Sequence, residues 1–249
     1  MFISDKEDKK LISRADDAVR LSSLRHSPVF LGFLNEKEQY ILKDYLTWYS
    51  GELAFWGGYE YSARNIASFC EYEVERCDYP VEAVCFKYRK TDKLSHRDFL
   101  GSLMGLGIER SSVGDIIVGE GQAVCYIKSE IADYVKSQIF KIGRVGVTII
   151  PESECSVSYE KNTEELSIIV SSMRLDAVAA ALTGLSRGKT SQLILSGRTA
   201  VNYSEVKNVS HFLKENDILT IRGSGKYIIK EQSGLTKKGR LKLIVEHYR

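Results

Sequence analysis

The residues of this 249-residue chain best suited to chemistry are cations near its C-terminal end. Ser186-Arg187-Gly188-Lys189 stands where a helix is expected to begin. A helix start offers unpaired N–H groups and the positive end of the backbone dipole, so it attracts anions and disfavours cations. Ser186 suits the N-cap. Arg187 and Lys189 in that first turn make sense where a phosphate joins them. Arg174, Arg198, Arg222 and Lys226 extend the patch. The chemistry implied is electrostatic capture of a polyanion. For Arg174 a second reading stays open, an internal ion pair with Asp176 or Asp217. Earlier in the chain, Phe86, Tyr88 and Tyr126 are placed either to stack bases on a sheet or simply to pack in a core. Gln122–Lys128 lacks the aromatic-rich pattern of an RNA-recognition strand, which favours packing.

Other motifs carry less. His96-Arg97-Asp98 mimics a kinase catalytic loop, but Leu103 stands where a metal-binding Asn belongs and no D-F-G follows. Ser95 to Asp98 reads better as a helix-capping box. Arg174-Leu175-Asp176 mimics the catalytic R-L-D of a pseudouridine synthase, whose separate catalytic domain has no counterpart here. The Gly105–Gly121 stretch lacks G-x-G-x-x-G between strand and helix, so no nucleotide or S-adenosylmethionine cradle is expected. The five cysteines form no C-x-x-C pair and the four histidines are scattered, so neither a disulfide framework nor a metal site is expected. No cofactor is implied.

Charge is unevenly divided. Residues 170–249 hold 14 Lys+Arg against 6 Asp+Glu, a net of +8. The remainder holds 21 against 27, a net of −6. An acidic body with a basic tail points to a polyanionic partner at one end. The N-terminal MFISDKEDKK lacks the apolar core of a signal peptide, and no run of about 18 apolar residues occurs. A soluble, cytoplasmic, monomeric protein is the expectation, with no membrane partner.

These residues need elements to position them. Apolar spacing predicts helices over Asp5–Ser22 and from Asn35, where Asn35 and Glu38 form a capping box. A strand is possible near Asn65–Cys70. From Pro80 onward the order reads β-α-β-β-α-β: strands at 81–89, 115–118, 122–128 and 144–150, and helices after Ser95 and Ser129. This is the ferredoxin-like arrangement shared by RNA-recognition motifs. Pro151–Glu165 is polar, with a short strand possible at Ser156–Tyr159. In the tail, Leu175, Val178, Ala179 and Leu182 share a helix face, Gly184 ends that helix, and Ser186 starts a second that Gly197 ends. Short strands follow at 199–202, 217–222, 226–230 and 240–246. The fold class is α+β: a helical N-terminal region (1–77), an RRM-like middle domain (78–155), a linker (156–169) and a small RNA-binding domain (170–249).

The tail resembles an S4 domain. R-L-D at Arg174–Asp176, S-R at Ser186-Arg187, I-L-S-G-R-T-A-V-N at Ile194–Asn202 and N-D-I at Asn216–Ile218 match the family pattern in order and spacing. Tyr203 and Asn216 replace glycines of that pattern at turn positions. Phe55-Trp56-Gly57-Gly58-Tyr59, the H-R-D-F-L-G-S-L-M-G-L-G-I-E-R run at His96–Arg110 and G-D-I-I-V at Gly114–Val118 resemble the YlmH family of S4-domain RNA-binding proteins. That resemblance adds Asn202 to the RNA-binding set. It implies a non-catalytic bacterial protein that docks on structured ribosomal RNA, on stalled large ribosomal subunits still holding tRNA, in translation quality control. The alternative is an enzyme of pseudouridine synthase or methyltransferase type that uses an S4 domain as its anchor.

Overall fold

The computed structural model describes residues 6–157 and 163–248. The chain divides into two compact units, Met1–Tyr159 and Glu160–Arg249.

The first unit opens with α1 (Lys6–Arg25), β1 (Val29–Leu34), α2 (Glu36–Tyr45), β2 (Glu52–Trp56) and β3 (Asn65–Cys70). The Asn35 carboxamide accepts from the Glu38 amide at 3.0 Å, and the Asn35 amide donates to the Glu38 carboxylate at 2.7 Å, which fixes the start of α2 as the sequence predicts. Residues 1–77 are not purely helical, however. The three strands form an antiparallel sheet in the order β1-β3-β2, and of these only β3 stood out in the sequence. Val29–Leu34 is a short apolar run without alternation, and such a run reads equally as strand or helix. One face of the sheet packs under the helices, with Ala67 and Phe69 against Leu11, Ala15 and Leu42. Phe33 and Ile66 point the other way, into a second cluster with Val74 and Tyr79.

Next come β4 (Val81–Lys87), α3 (His96–Gly105), β5 (Val113–Val118), β6 (Gln122–Lys128), α4 (Ser129–Gln138), β7 (Lys141–Ile142), β8 (Val145–Gly146) and β9 (Thr148–Ile150). The sheet order β5-β6-β4-β9, antiparallel throughout, is the ferredoxin-like topology. The final strand differs from its sequence reading. Residues 141–146 fold on themselves as the hairpin β7–β8, with Gly143 at φ +59, and only Thr148–Ile150 joins the sheet. Phe99 and Leu103 of α3 and Ala132 and Val135 of α4 bury against Val84, Phe86, Ile116 and Cys125.

The second unit contains β10 (Thr163–Val170), α5 (Leu175–Thr183), α6 (Arg187–Leu195), β11 (Thr199–Val201), β12 (Ser204–Glu205), β13 (Ile218–Ile221), β14 (Gly225–Leu235) and β15 (Leu241–Tyr248). Its six-stranded sheet runs β10-β15-β14-β13-β11-β12. Residues 163–169 are therefore not linker: β10 pairs with β15 along its whole length, and Leu166, Ile168 and Val170 alternate into the core. The strand considered at Ser156–Tyr159 falls partly outside the described residues. Its described part, Ser156 and Val157, lies in no regular element. Gly184 at φ +69 ends α5, and Ser186 caps α6 by accepting from the Lys189 amide.

Candidate nucleic-acid interface

The sequence-picked cations fall into two groups, one at each end of α6. At its start, Asp176 is the hub. This nearly buried carboxylate accepts from Arg174 Nε at 3.0 Å and Arg174 Nη2 at 3.3 Å, and from Arg187 Nη2 at 3.1 Å. Burial pushes the Asp176 pKa up, but the hydrogen bonds from Arg174 and the charges of both arginines outweigh it and hold the carboxyl below its ordinary range. Arg174 is thus engaged internally, the second of its two readings, with Asp176 and not Asp217 as its partner. Arg187 shares that partner, yet 58% of its side chain stays exposed. Asp176 aims its guanidinium without burying it. Lys189 is exposed in the same turn, and Ser186 is used in capping.

Beyond the other end of α6, the Arg222 amide donates to the Arg198 carbonyl at 2.9 Å, which sets these two exposed arginines on neighbouring strand ends. One strand further on, the Lys226 ammonium lies 4.7 Å from the Tyr248 ring centre and 5.8 Å from that of Tyr203. Asn202 does a different job. Its Nδ2 donates to Asp217 at 2.8 Å and its Oδ1 accepts from the Ile218 amide at 2.9 Å, at φ +50. It locks a turn whose next residue, Tyr203, also has positive φ (+65), and Asn216 sits at φ +67. The two substituted glycine positions of the S4 pattern thus keep left-handed backbone.

The structure adds cations that motif reasoning passed over. A groove of about 460 Å³ runs between α5 and the β14–β15 hairpin, lined by Ile169, Ala177, Ala181, Arg187 and Arg240. A second groove of about 280 Å³ shares Ile169 and Arg240 and adds Lys237 and Lys238. Among the described residues no carboxylate lines either groove. The sequence signal was there, three cations in T-K-K-G-R at the tip of a hairpin, but no S4 motif covers it. An elongated, cation-lined surface with its arginine preset by a buried carboxylate is suited to a phosphodiester backbone.

Comparison with known proteins bears on the whole chain. Residues 74–155 match the family model described as "Putative RNA-binding domain in YlmH". The chain is 32% identical over 248 residues to "Ribosome-associated protein quality control protein P2" of Bacillus subtilis (strain 168), covering 97% of this chain and 95% of that one. The chain belongs to the YlmH family. A solved structure, "Cell division protein ylmH from Streptococcus pneumoniae", matches with a TM-score of 0.51 at 22% identity, over 62% of this chain and 96% of that one, a likeness of fold.

In this YlmH-family chain the matched segment contains the ferredoxin-like sheet, and its aromatic residues do not share one face. Phe86 is fully buried and Tyr88 nearly so, both against Phe99 on the helix side. Tyr126 lies on the opposite side, stacked on Tyr59 with ring centres 4.9 Å apart. Burial pushes the Tyr126 phenol up to about 12. Gly58, at φ +102, makes the stack possible: a Cβ there would come within 2.3 Å of the Tyr126 ring. The Tyr59 hydroxyl donates to Asp115 at 2.8 Å, and the same carboxylate accepts from the amides of Ala63 and Arg64. Arg64 reaches the carbonyls of Phe33 and Val113, where Arg110 joins it. Burial, with Arg64 alongside, brings Arg110 down to about 10. The F-W-G-G-Y and E-R-S-S-V-G-D segments are thus two halves of one interlock. Among the described residues no group of three His, Cys, Asp or Glu is placed to hold a metal, and no helix is long and apolar enough to cross a membrane.

Proposed function

We propose that this chain is a non-catalytic RNA-binding protein that docks on structured ribosomal RNA through its C-terminal unit, in the manner of an S4 domain. The observation that carries the reading is the exposed Arg187, aimed by Asp176 at the capped start of α6 and bordering the groove that Arg240 lines from the other side. Phosphate contacts of this kind fix position and orientation but carry no sequence information, so selectivity requires a second contact. The quality-control name of the Bacillus subtilis relative supports a ribosomal setting. We infer that the target is a large ribosomal subunit still holding tRNA, where a fixed RNA feature lies close to a second ligand and two modest contacts reinforce each other. Asp176 is nearly buried and holds two guanidiniums, a positioning role that supports the binding reading of this R-L-D.

The test is fractionation of a cell extract. The protein should travel with large subunits, more so when tRNA is retained, and the Arg187→Ala/Arg240→Ala variant should be lost from them. Equal recovery across free, small-subunit and large-subunit fractions would reduce the protein to a general RNA binder. Mass mapping of the bound RNA that revealed a new methyl group or pseudouridine would favour the enzyme instead.

A further inference from the structure

The ferredoxin-like sheet of this chain lacks the open face on which RNA-recognition motifs stack bases, because Tyr59, Gly58 and the N-terminal sheet occupy the Tyr126 side and the helices occupy the other. An unpaired base needs an exposed aromatic ring with cations beside it. That combination occurs at the β7–β8 hairpin. Phe140 is 69% exposed and is followed by Lys141 and Arg144, both exposed and neither with an ion-pair partner among the described residues. From residue 134 to 151 the sequence has three cations and no carboxylate, within a part of the chain that is otherwise net acidic. Of the three, Lys136 is taken by Glu82.

The hairpin is held rigid from below. Ile142 is fully buried in the core of the ferredoxin-like sheet, the Val147 amide donates to the Phe140 carbonyl at 3.0 Å, and the Gly143 amide donates to Ser102 Oγ of α3 at 3.4 Å. Lys141 pairs across the hairpin with Gly146, where a Cβ would meet nothing within 4 Å, so no side chain shades it. On α3, Gly101 and Gly105 flank Ser102 and likewise have open space where a Cβ would stand. Glycine weakens a helix, and packing gives no reason for it here. The bare backbone leaves a flat surface next to the hairpin that Ser102 contacts, where a sugar-phosphate chain can lie close to the peptide.

We infer that the β7–β8 hairpin is a second RNA contact, in which Phe140 stacks an unpaired base while Lys141 and Arg144 hold the flanking phosphates. The inference rests on the RNA-binding reading of the chain and supplies the second contact that reading requires. The whole chain is titrated with two probes, an RNA stem closed by an unpaired loop carrying 2-aminopurine and the blunt duplex of the same stem. Phe140→Ala should weaken the looped probe about tenfold, abolish the fluorescence change that stacking produces, and leave the blunt duplex within about twofold. Phe140→Trp should restore binding. Lys141→Ala/Arg144→Ala should weaken the looped probe and flatten its salt dependence. Phe140 is exposed, so the melting curve of Phe140→Ala should overlay that of wild type. Unchanged looped-probe affinity in these variants overturns the inference and leaves the proposed function standing. Wild type that binds neither probe overturns both. Phe140→Ala that keeps full RNA affinity but no longer pellets with ribosomal subunits would assign the hairpin to a protein partner and overturn the RNA contact.

Discussion

The ferredoxin-like sheet of the first unit and the six-stranded sheet of the second are both antiparallel and both pack helices. They differ in what is done with the remaining surface. The ferredoxin-like sheet closes its outer face: Tyr126 stacks under Tyr59, and Gly58 has no side chain because the ring leaves no room for one. The C-terminal unit keeps Arg187, Lys189, Arg198 and Arg222 exposed and sets Lys237, Lys238 and Arg240 around grooves that, among the described residues, no carboxylate lines. A fold shared with RNA-binding modules therefore does not locate the binding surface. The burial of individual rings and cations is what the proposed surface is read from.

The largest expected effect breaks the closed face. Gly58→Ala forces a side chain into a φ of +102 and onto the Tyr126 ring at 2.3 Å, and should cost about 3 kcal/mol in urea unfolding of the whole chain. A neutral result would mean that the loop does not sit on Tyr126. On the open surface, Lys237→Ala/Lys238→Ala/Arg240→Ala should lower the slope of log affinity against log salt by about 2. An unchanged slope would remove the hairpin tip from the interface. Arg187→Ala should lose on the order of 1 to 3 kcal/mol of RNA affinity with little change in melting temperature. Unfolding in place of lost affinity would make its pair with Asp176 a structural one.

The smallest effect is in pH. The Asp176 pKa is depressed in the folded chain. Its contribution to stability is therefore complete above the ordinary carboxylate value of about 3.9 and is lost as pH falls through the lower folded value. Acid titration of Asp176→Asn should lack that limb. Identical acid profiles for variant and wild type would show that the two arginines are not held as described.

Local chemistry was readable from the sequence where it acts over a few residues. Asn35 with Glu38, Ser186 with Lys189, and Gly184 at φ +69 all stand where helix signals put them. So do the strands that carry regular alternation. What the sequence hid was long-range. Nothing local tells Tyr59 that Asp115, 56 residues away, will accept its hydroxyl, or Arg64 that the Val113 carbonyl awaits it. The apolar runs of β1 and β2 gave no period to read, and the polar look of residues 156–169 masked the alternation that makes β10 a strand. In the candidate interface, the exposed cations at Arg187, Lys189, Arg198 and Arg222 were visible as motif positions. Arg174 and Asn202 were visible too, but both are engaged in holding neighbouring residues in place. The cations at 237, 238 and 240 lie outside any motif, and their place beside the grooves emerges only when the β14–β15 hairpin folds.

Photocrosslinking tests most directly where RNA lies. The full chain is bound to purified large ribosomal subunits retaining tRNA, irradiated, digested, and its RNA-bearing peptides mapped. Crosslinks should concentrate in peptides spanning 186–198 and 236–240, with a further site at Phe140. Crosslinks confined to β4 and β6, with Tyr126 among them and the C-terminal unit free of RNA, would contradict the division between a closed sheet face and an open cationic surface.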